Sequence, residues 1–346
     1  MKRLILFGAA VCFAASAQAQ TPTLTMESGS VGGATDMAAK HLAEVAAKRK
    51  IATIQAQAGK VLSKSILQVA QGKTDLAASP FILQFLMARA LGPYAGLGKK
   101  KGKELAGNLR LLYPYHLAHY YLIAFAASGI DSWDKLKGKT IFNGPPRGGA
   151  LNTARALIRL TTGMNEGKGY TGKQIAWGQA DSIFLDGAVD AAVRPGTNPA
   201  AYLPIYIAAG KINLVSIPKA KMESAAFRKF LRAPGNVAMV FPKKNLAHYG
   251  PGVNVISEDD MFRSISNTGG DVAHKNMPKA LARALTAAMI ETLPDMFRKA
   301  PFARGQLFGV VDDKRMGMCN AGVKFHPGAV EAWEAAGHKL PDCAKP

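Results

Sequence analysis

Arg147 lies in Asn143-Gly144-Pro145-Pro146-Arg147-Gly148-Gly149-Ala150-Leu151-Asn152-Thr153, where a short β-like stretch gives way to a helical one. A guanidinium is a planar fork of donors that matches a carboxylate. The start of a helix adds unpaired N–H groups and the positive end of a dipole. The same design occurs earlier, at Ser28-Gly29-Ser30-Val31-Gly32-Gly33-Ala34-Thr35-Asp36, between alternating Thr23–Glu27 and amphipathic Met37–Val45. Glycines let a backbone turn tightly and approach a ligand closely, and such a helix start favours an anion. A third strand end, Arg194-Pro195-Gly196-Thr197-Asn198-Pro199, brings a second arginine. Each turn has a plainer reading too: a tight turn capped by Thr35 or Asp36, or a loop with a surface arginine. Recurrence of the design in two halves of the chain favours anion capture.

Patterns for making and breaking bonds are scarce. The sequence has no G-x-S-x-G elbow and no H-E-x-x-H. Gly138-Lys139-Thr140 fails as a phosphate-binding loop, because Trp133 stands where the first glycine belongs. His116 and His119, three apart on a strand-like run, fall on opposite faces, which disfavours a shared metal. Asp75, Asp181 and His119 could still meet in a cleft, so an enzyme on the same fold stays open as an alternative. Neither a cofactor nor a metal is expected.

The elements that must position these residues follow from the chain's bounds. Its 346 residues suffice for two domains with real cores. Hydrophobic residues make up 48% and charged residues 19%, the profile of a globular protein. Lys2 and Arg3, the apolar run Leu4–Ala15 and the A-x-A site Ala17-Gln18-Ala19 read as a signal peptide over residues 1–19, cleaved after Ala19. The run is too short to span a membrane, so the expected location is periplasmic. Cleavage leaves two cysteines, Cys319 and Cys343, for which an oxidising compartment favours a disulfide. His326 and His338 lie between them, and a zinc site stays open as the other reading. The formal charge is +21, but the cations are spread along the chain without a basic helix interleaved with aromatics. A nucleic-acid partner is therefore not expected, whereas steering of an anion is possible.

Alternating runs at Ile51–Gln57 and Thr74–Pro80, with a helix over Lys60–Gln71 between them, continue a β-α-β-α-β pattern that implies a parallel sheet. Such sheets bind ligands at the carboxyl ends of their strands, which would put Ser30 to Thr35 and Ser79 on one rim. Leu109–Phe125 is long for one strand and reads as a crossing from one domain to another. Ile175–Trp177, Val189–Val193 and Lys211–Ile217 read as further strands, and Met261–Thr268 as the return crossing. The expected division is residues 20–117 plus 263–346 as one lobe and 118–262 as the other, with the two glycine turns facing across a cleft.

The order of elements resembles a type II periplasmic solute-binding protein, and more narrowly the TAXI family of receptors for tripartite ATP-independent periplasmic (TRAP) transporters. Beyond the two turns, the resemblance is carried by Leu112-Tyr113-Pro114, Leu136-Lys137-Gly138-Lys139, Asp186-Gly187-Ala188-Val189-Asp190-Ala191-Ala192 and Phe325-His326-Pro327-Gly328-Ala329, followed by Trp333 and Gly337. It covers nearly the whole mature chain. It implies a monomeric α/β protein of two lobes, each a mostly parallel sheet flanked by helices, that delivers a small organic anion to membrane permease subunits. The family's Thr-Tyr-Tyr is Ala34-Thr35-Asp36 here, and its Pro-Gly-Ser-Gly-Thr is Pro-Pro-Arg-Gly-Gly-Ala, so no family ligand is carried over. The expected contacts are Arg147 on a carboxylate; Ser28, Ser30, Gly33, Thr35 and Ser79 from the first lobe; Gly149, Ala150, Arg194 and Asn198 from the second; and Tyr113 or Tyr115 as a wall. The alternative within binding is an ABC-type receptor for a sulfonate, an aromatic acid or a thiamine-precursor-like compound.

Overall fold

The computed structural model describes residues 21–346, so the expected signal peptide lies outside the described residues. The chain is α/β. Its strands are β1 (Thr23–Glu27), β2 (Thr53–Gln57), β3 (Leu76–Pro80), β4 (Leu109–Phe125), β5 (Thr140–Phe142), β6 (Thr171–Lys173), β7 (Ala191–Gly196), β8 (Ile212–Val215), β9 (Asn236–Pro242), β10 (Val253–Ile256) and β11 (Met261–His274). Helices α1 (Ala34–Lys48), α2 (Leu62–Ala70), α3 (Phe81–Arg89), α4 (Gly98–Ala106) and α5 (Gly149–Thr162) lie between strands. The sheet runs β2-β1-β3-β11-β4-β7-β5-β6, with β8 and β10 branching from β4 and β9 beside β11.

Pairs β1–β2, β1–β3, β5–β6, β5–β7 and β8–β10 are parallel. Parallel neighbours need crossovers, which α1 and α2 supply in the first half. The two long strands β4 and β11 are antiparallel to each other and cross the middle of the sheet. The parallel sheets are therefore not separate, as the sequence suggested; β4 and β11 weld them into one mixed sheet. Buried apolar side chains still fall into distinct cores. One is built from Leu24 through Leu117 and resumes from Val272 to Ala344. The others lie within Tyr120–Ile265, where alternation along β4 sends Tyr120 and Leu122 to one core and Tyr121 and Ile123 to the other.

The crossing strands are irregular. Pairing of β4 with β11 skips Leu112 and Leu117, each an extra residue that bulges β4. The bulge at Leu117 corrects the expectation for His116 and His119: their rings lie 6.4 Å apart and not on opposite faces. Trp333 Nε1 donates to the Leu112 carbonyl at 3.0 Å, which satisfies the other bulge. β11 also runs past the expected end at Thr268, because Gly269 and Gly270 serve here as strand residues and not as a turn. A Cβ on either would collide with the backbone of β3 or β4.

The C-terminal segment is fastened to β4. The Phe325 and His326 N–H groups donate to the Ala344 and Leu111 carbonyls, the Leu111 N–H donates to the Lys324 carbonyl, and His326 Nδ1 accepts from the Gly328 N–H at 3.1 Å to cap helix Pro327–Ala335. Cys319 and Cys343, 24 residues apart, are disulfide-bonded with Cα atoms 5.5 Å apart.

Candidate ligand-binding cleft

Four helix starts meet where the two halves of the sheet face each other. The N-cap residues are Gly33 for α1, Val61 for α2, Pro80 for α3 and Gly148 for α5, and none caps its helix with a side chain. Residues at all four starts line one cleft: Thr35; Val61 and Leu62; Pro80, Ile82 and Leu83; Gly148, Gly149 and Ala150. Its remaining wall includes Ser30, Lys60, Leu117, Tyr120, Arg147, Thr153, Trp177 and Asn267, and it encloses ≈ 90 Å³. Unpaired first-turn N–H groups and four dipole ends make this a region of positive potential.

Side-chain charge adds to that potential. Lys60 is half-buried and Arg147 exposed, and no acidic residue lines the cleft. Among the described residues no ion pair engages either cation. Lys60 is placed by backbone bonds: the Gly59 N–H donates to the Gly29 carbonyl at 2.6 Å and the Lys60 N–H to that of Ser28 at 2.9 Å. The acid nearest the helix starts is Asp36, in the first turn of α1; α2, α3 and α5 have none there. Its Oδ2 accepts from the Gly32 N–H at 2.9 Å and from Lys40 Nζ at 2.8 Å.

The turns touch across the cleft. Gly148 has φ +110°, and a Cβ there would lie 3.3 Å from Val61 Cγ1. Gly32 has φ +70°, and a Cβ there would lie 2.8 Å from Ala201 Cβ. Both positions combine a backbone region that side chains disfavour with a close approach, so glycine is required twice over.

Of the residues singled out from sequence, Ser30, Thr35, Arg147, Gly149 and Ala150 line the cleft. Thr35 Oγ1 also accepts from the Gly29 N–H at 3.1 Å, holding the turn. The others sit elsewhere. Ser28 is buried under the turn, and Ser79 is buried with its hydroxyl accepting from Gln84 Nε2 at 3.0 Å. Gly33 donates its N–H to the Ser30 carbonyl. Tyr113 and Tyr115 face the first core: Tyr113 packs on Trp333, while Tyr115 stacks on Phe308 and donates to Asp271 Oδ1 at 2.6 Å. Asn198 follows β7 outside the cleft lining. Arg194 is inside β7 and buried, bonded to Asp181 Oδ1 at 2.7 Å and to the Tyr206 hydroxyl, 3.8 Å above the Tyr202 ring.

Asp75, Asp181 and His119 have different partners. Asp75 accepts from the Thr25 N–H and hydroxyl, Asp181 from Arg194, and His119 meets Gln306. Sequence reasoning missed Lys60, Trp177 and Asn267. Lys60 had a signal, since Gly59-Lys60 repeats the strand–glycine–helix pattern of the two turns. Trp177 was expected in a strand; it opens the short helical turn Trp177–Gln179 instead, after β6 has ended at Lys173. Asn267 had none, because only the register of β11 brings it there.

Comparisons with known proteins bear on the whole chain. No curated protein matches the sequence. Solved structures that share features of the fold include the periplasmic aliphatic sulphonate-binding protein of Escherichia coli, at 12% identity over 82% of this chain and 75% of that one, with a TM-score of 0.42. A TctC solute-binding protein from Polaromonas is 17% identical over 80% of this chain and 88% of its own, TM-score 0.42. A TRAP periplasmic solute-binding protein from Sulfitobacter, solved with β-D-galacturonate, is 10% identical over 90% and 94%, TM-score 0.46. A family model matches residues 26–337, nearly all of the described chain, and the chain belongs to the NMT1-like family.

Proposed function

We propose that this protein is an exported solute receptor that captures a small organic anion in the cleft and hands it to the permease of a TRAP transporter. The observation that carries the reading is the convergence of four helix starts, none capped by a side chain, with Lys60 and Arg147, in a cleft lined by no acid. Such a site satisfies a carboxylate with N–H donors and two cations and repels a cation. Ser30, Thr35, Gly149 and Ala150 supply further hydrogen bonds. Residues 20–117 with 263–346, and 118–262, act as bodies that close about β4 and β11, a hinge motion that buries the ligand without chemistry on it. The resemblance to TAXI receptors favours a TRAP permease as partner.

A second reading keeps the site and changes the partner to an ABC transporter. Trp177 in the cleft wall supports it, since it suits an aromatic or sulfonate ligand. A permease gene of the TRAP type beside this gene decides for the first reading, an ATPase gene for the second. The binding claim is tested by thermal-shift measurement of the purified chain over mono- and dicarboxylates, amino acids and aromatic acids. A bound anion raises Tm by mass action; absence of any rise across the panel overturns the reading.

A further inference from the structure

We infer that Asn267 sets the ligand's class: its side-chain oxygen is a fixed acceptor in the cleft wall, and the captured anion carries a neutral hydroxyl that donates to it. The inference rests on the anion-capture reading above and adds the group that is recognised besides the charge. An asparagine amide can present its oxygen or its NH2, and its neighbours decide which. Asn267 of β11 is paired with Asn236 of β9, so the two side chains stand on one face of the sheet. Asn267 Nδ2 donates to Asn236 Oδ1 at 2.8 Å, and Asn236 Nδ2 donates to the Phe230 carbonyl at 3.1 Å. Phe230 lies in the last turn of helix Ala225–Leu231, where carbonyls lack partners within the helix. A carbonyl only accepts. Asn236 must therefore turn its NH2 to Phe230 and its oxygen to Asn267, and Asn267 must turn its NH2 to Asn236.

The oxygen left over is Asn267 Oδ1. It accepts from no group among the described residues and is not sealed in the core, so it is the free end of the amide on the cleft wall. The strands beneath it are held in place: the Asn236 N–H donates to the Ala233 carbonyl at 3.1 Å and the Thr268 N–H to the Gly235 carbonyl at 2.8 Å. The other polar side chains of the cleft behave differently. Lys60, Arg147 and Trp177 only donate. Ser30, Thr35, Tyr120 and Thr153 carry hydroxyls, which rotate to donate or accept. Asn267 Oδ1 accepts and cannot donate.

A ligand that covers this oxygen without a donor strips it of water and leaves it unpaired, whereas a hydroxyl satisfies it. An ammonium is the poorer match. It brings a positive charge into a cleft lined by Lys60 and Arg147 and by no acid. A hydroxyl brings one donor for one acceptor and no charge. The ligand class is therefore a hydroxy acid, with Asn267 reading the hydroxyl and Asn236 acting as a positioning residue behind it.

The test is calorimetric titration of the purified chain with matched acids: propanoate, lactate and alanine; succinate, malate and aspartate; phenylacetate, mandelate and phenylglycine. In the series that binds tightest, the hydroxy acid is expected to bind about tenfold to a hundredfold tighter than its deoxy and amino counterparts. Asn267→Leu brings the hydroxy and deoxy acids within about threefold of each other. Asn236→Leu, which touches no ligand but lets the Asn267 amide turn, shrinks the same ratio, an effect that loss of stability alone does not produce. Equal binding of hydroxy and deoxy acids by the parent chain overturns the inference and leaves anion capture standing. An amino acid as the tightest binder replaces the hydroxyl by an ammonium and overturns it likewise. A hydroxyl preference that persists in Asn267→Leu overturns the role of Asn267. No binding by any of these acids at about 10 mM overturns both this inference and the reading beneath it.

Discussion

Arg147 and Arg194 carry the same group, and both belong to a strand end that precedes a helix. One is exposed in the cleft with no ionic partner among the described residues; the other is buried and joined to Asp181, Tyr206 and Tyr202. Arg147 follows its strand by five residues, on a glycine turn that lines the cleft, whereas Arg194 is inside β7, where a buried charge must be paired. The contrast extends to the whole molecule. The cleft keeps its cations unpartnered, while the core pairs its charges or suppresses them. An arginine becomes a candidate ligand anchor through the absence of an internal partner, and sequence position alone does not reveal that.

The largest test of the core side of this contrast is its response to acid. Burial holds His116 down to about 4 and His119 to about 3, and pushes Asp271 up to about 7 against its hydrogen bond from Tyr115. A histidine whose folded pKa is depressed contributes stability that is present above pH 6.5 and lost as pH falls toward the folded value. Asp271 acts the other way: its neutral form favours the fold at low pH, and that contribution is lost as pH rises from about 4 to about 7. Between pH 6.5 and 4 the two histidines lose on the order of 6 kcal/mol and Asp271 restores about 3, a net loss of about 3 kcal/mol. Asp271→Asn removes the counterweight and roughly doubles that loss. Denaturant midpoints across this range measure it, and parallel curves for the variant and the parent would show that Asp271 is ionised in the fold.

Arg194→Met comes next. Removing one partner of a buried pair, here with Asp181 half-exposed, is expected to cost about 3 kcal/mol while ligand affinity stays within about twofold. Urea unfolding and calorimetry read the two quantities. A loss below about 1 kcal/mol combined with a tenfold loss of affinity would move Arg194 to the ligand and dissolve the contrast.

Arg147→Ala should show the reverse pattern. Stability changes by less than about 0.5 kcal/mol, because nothing in the fold depends on the side chain. Affinity falls about tenfold to thirtyfold, the worth of a charge-assisted hydrogen bond. Lys60→Ala falls similarly. The double variant loses less than the sum if both cations hold one head, whereas additive losses place them on separate groups.

How much of this was legible beforehand depends on the range of the forces involved. The glycine turns and the long β4 are local patterns, legible in the chain. The bulges at Leu112 and Leu117 were not, because they arise from pairing with β11, and they place His116 beside His119. Tyr113 and Tyr115 look like cleft walls in sequence, but Trp333 and Phe308, two hundred residues away, draw them into the first core. Lys60 carries a local signal, the glycine before it, but the same pattern marks any ordinary helix start.

The smallest expected effect tests whether α1 belongs with the other three helix starts. Asp36 is the one first-turn acid among the four, and its side chain is only 3% exposed. Its charge lowers the potential at the α1 start, so this terminus attracts an anion less than α2 or α5 does. Asp36→Asn keeps an acceptor for the Gly32 N–H and removes the charge. Anion affinity should rise about twofold to threefold, while stability falls by about 0.5–1 kcal/mol through loss of the dipole interaction and the Lys40 pair. Calorimetric titration with the best-binding anion and thermal unfolding measure these. Unchanged affinity would mean that the ligand's charge lies at the α2 and α5 starts alone, beside Lys60 and Arg147. A fall beyond threefold would mean that Asp36 itself holds part of the ligand, a donor or a cation, and the cleft would then be one for zwitterions.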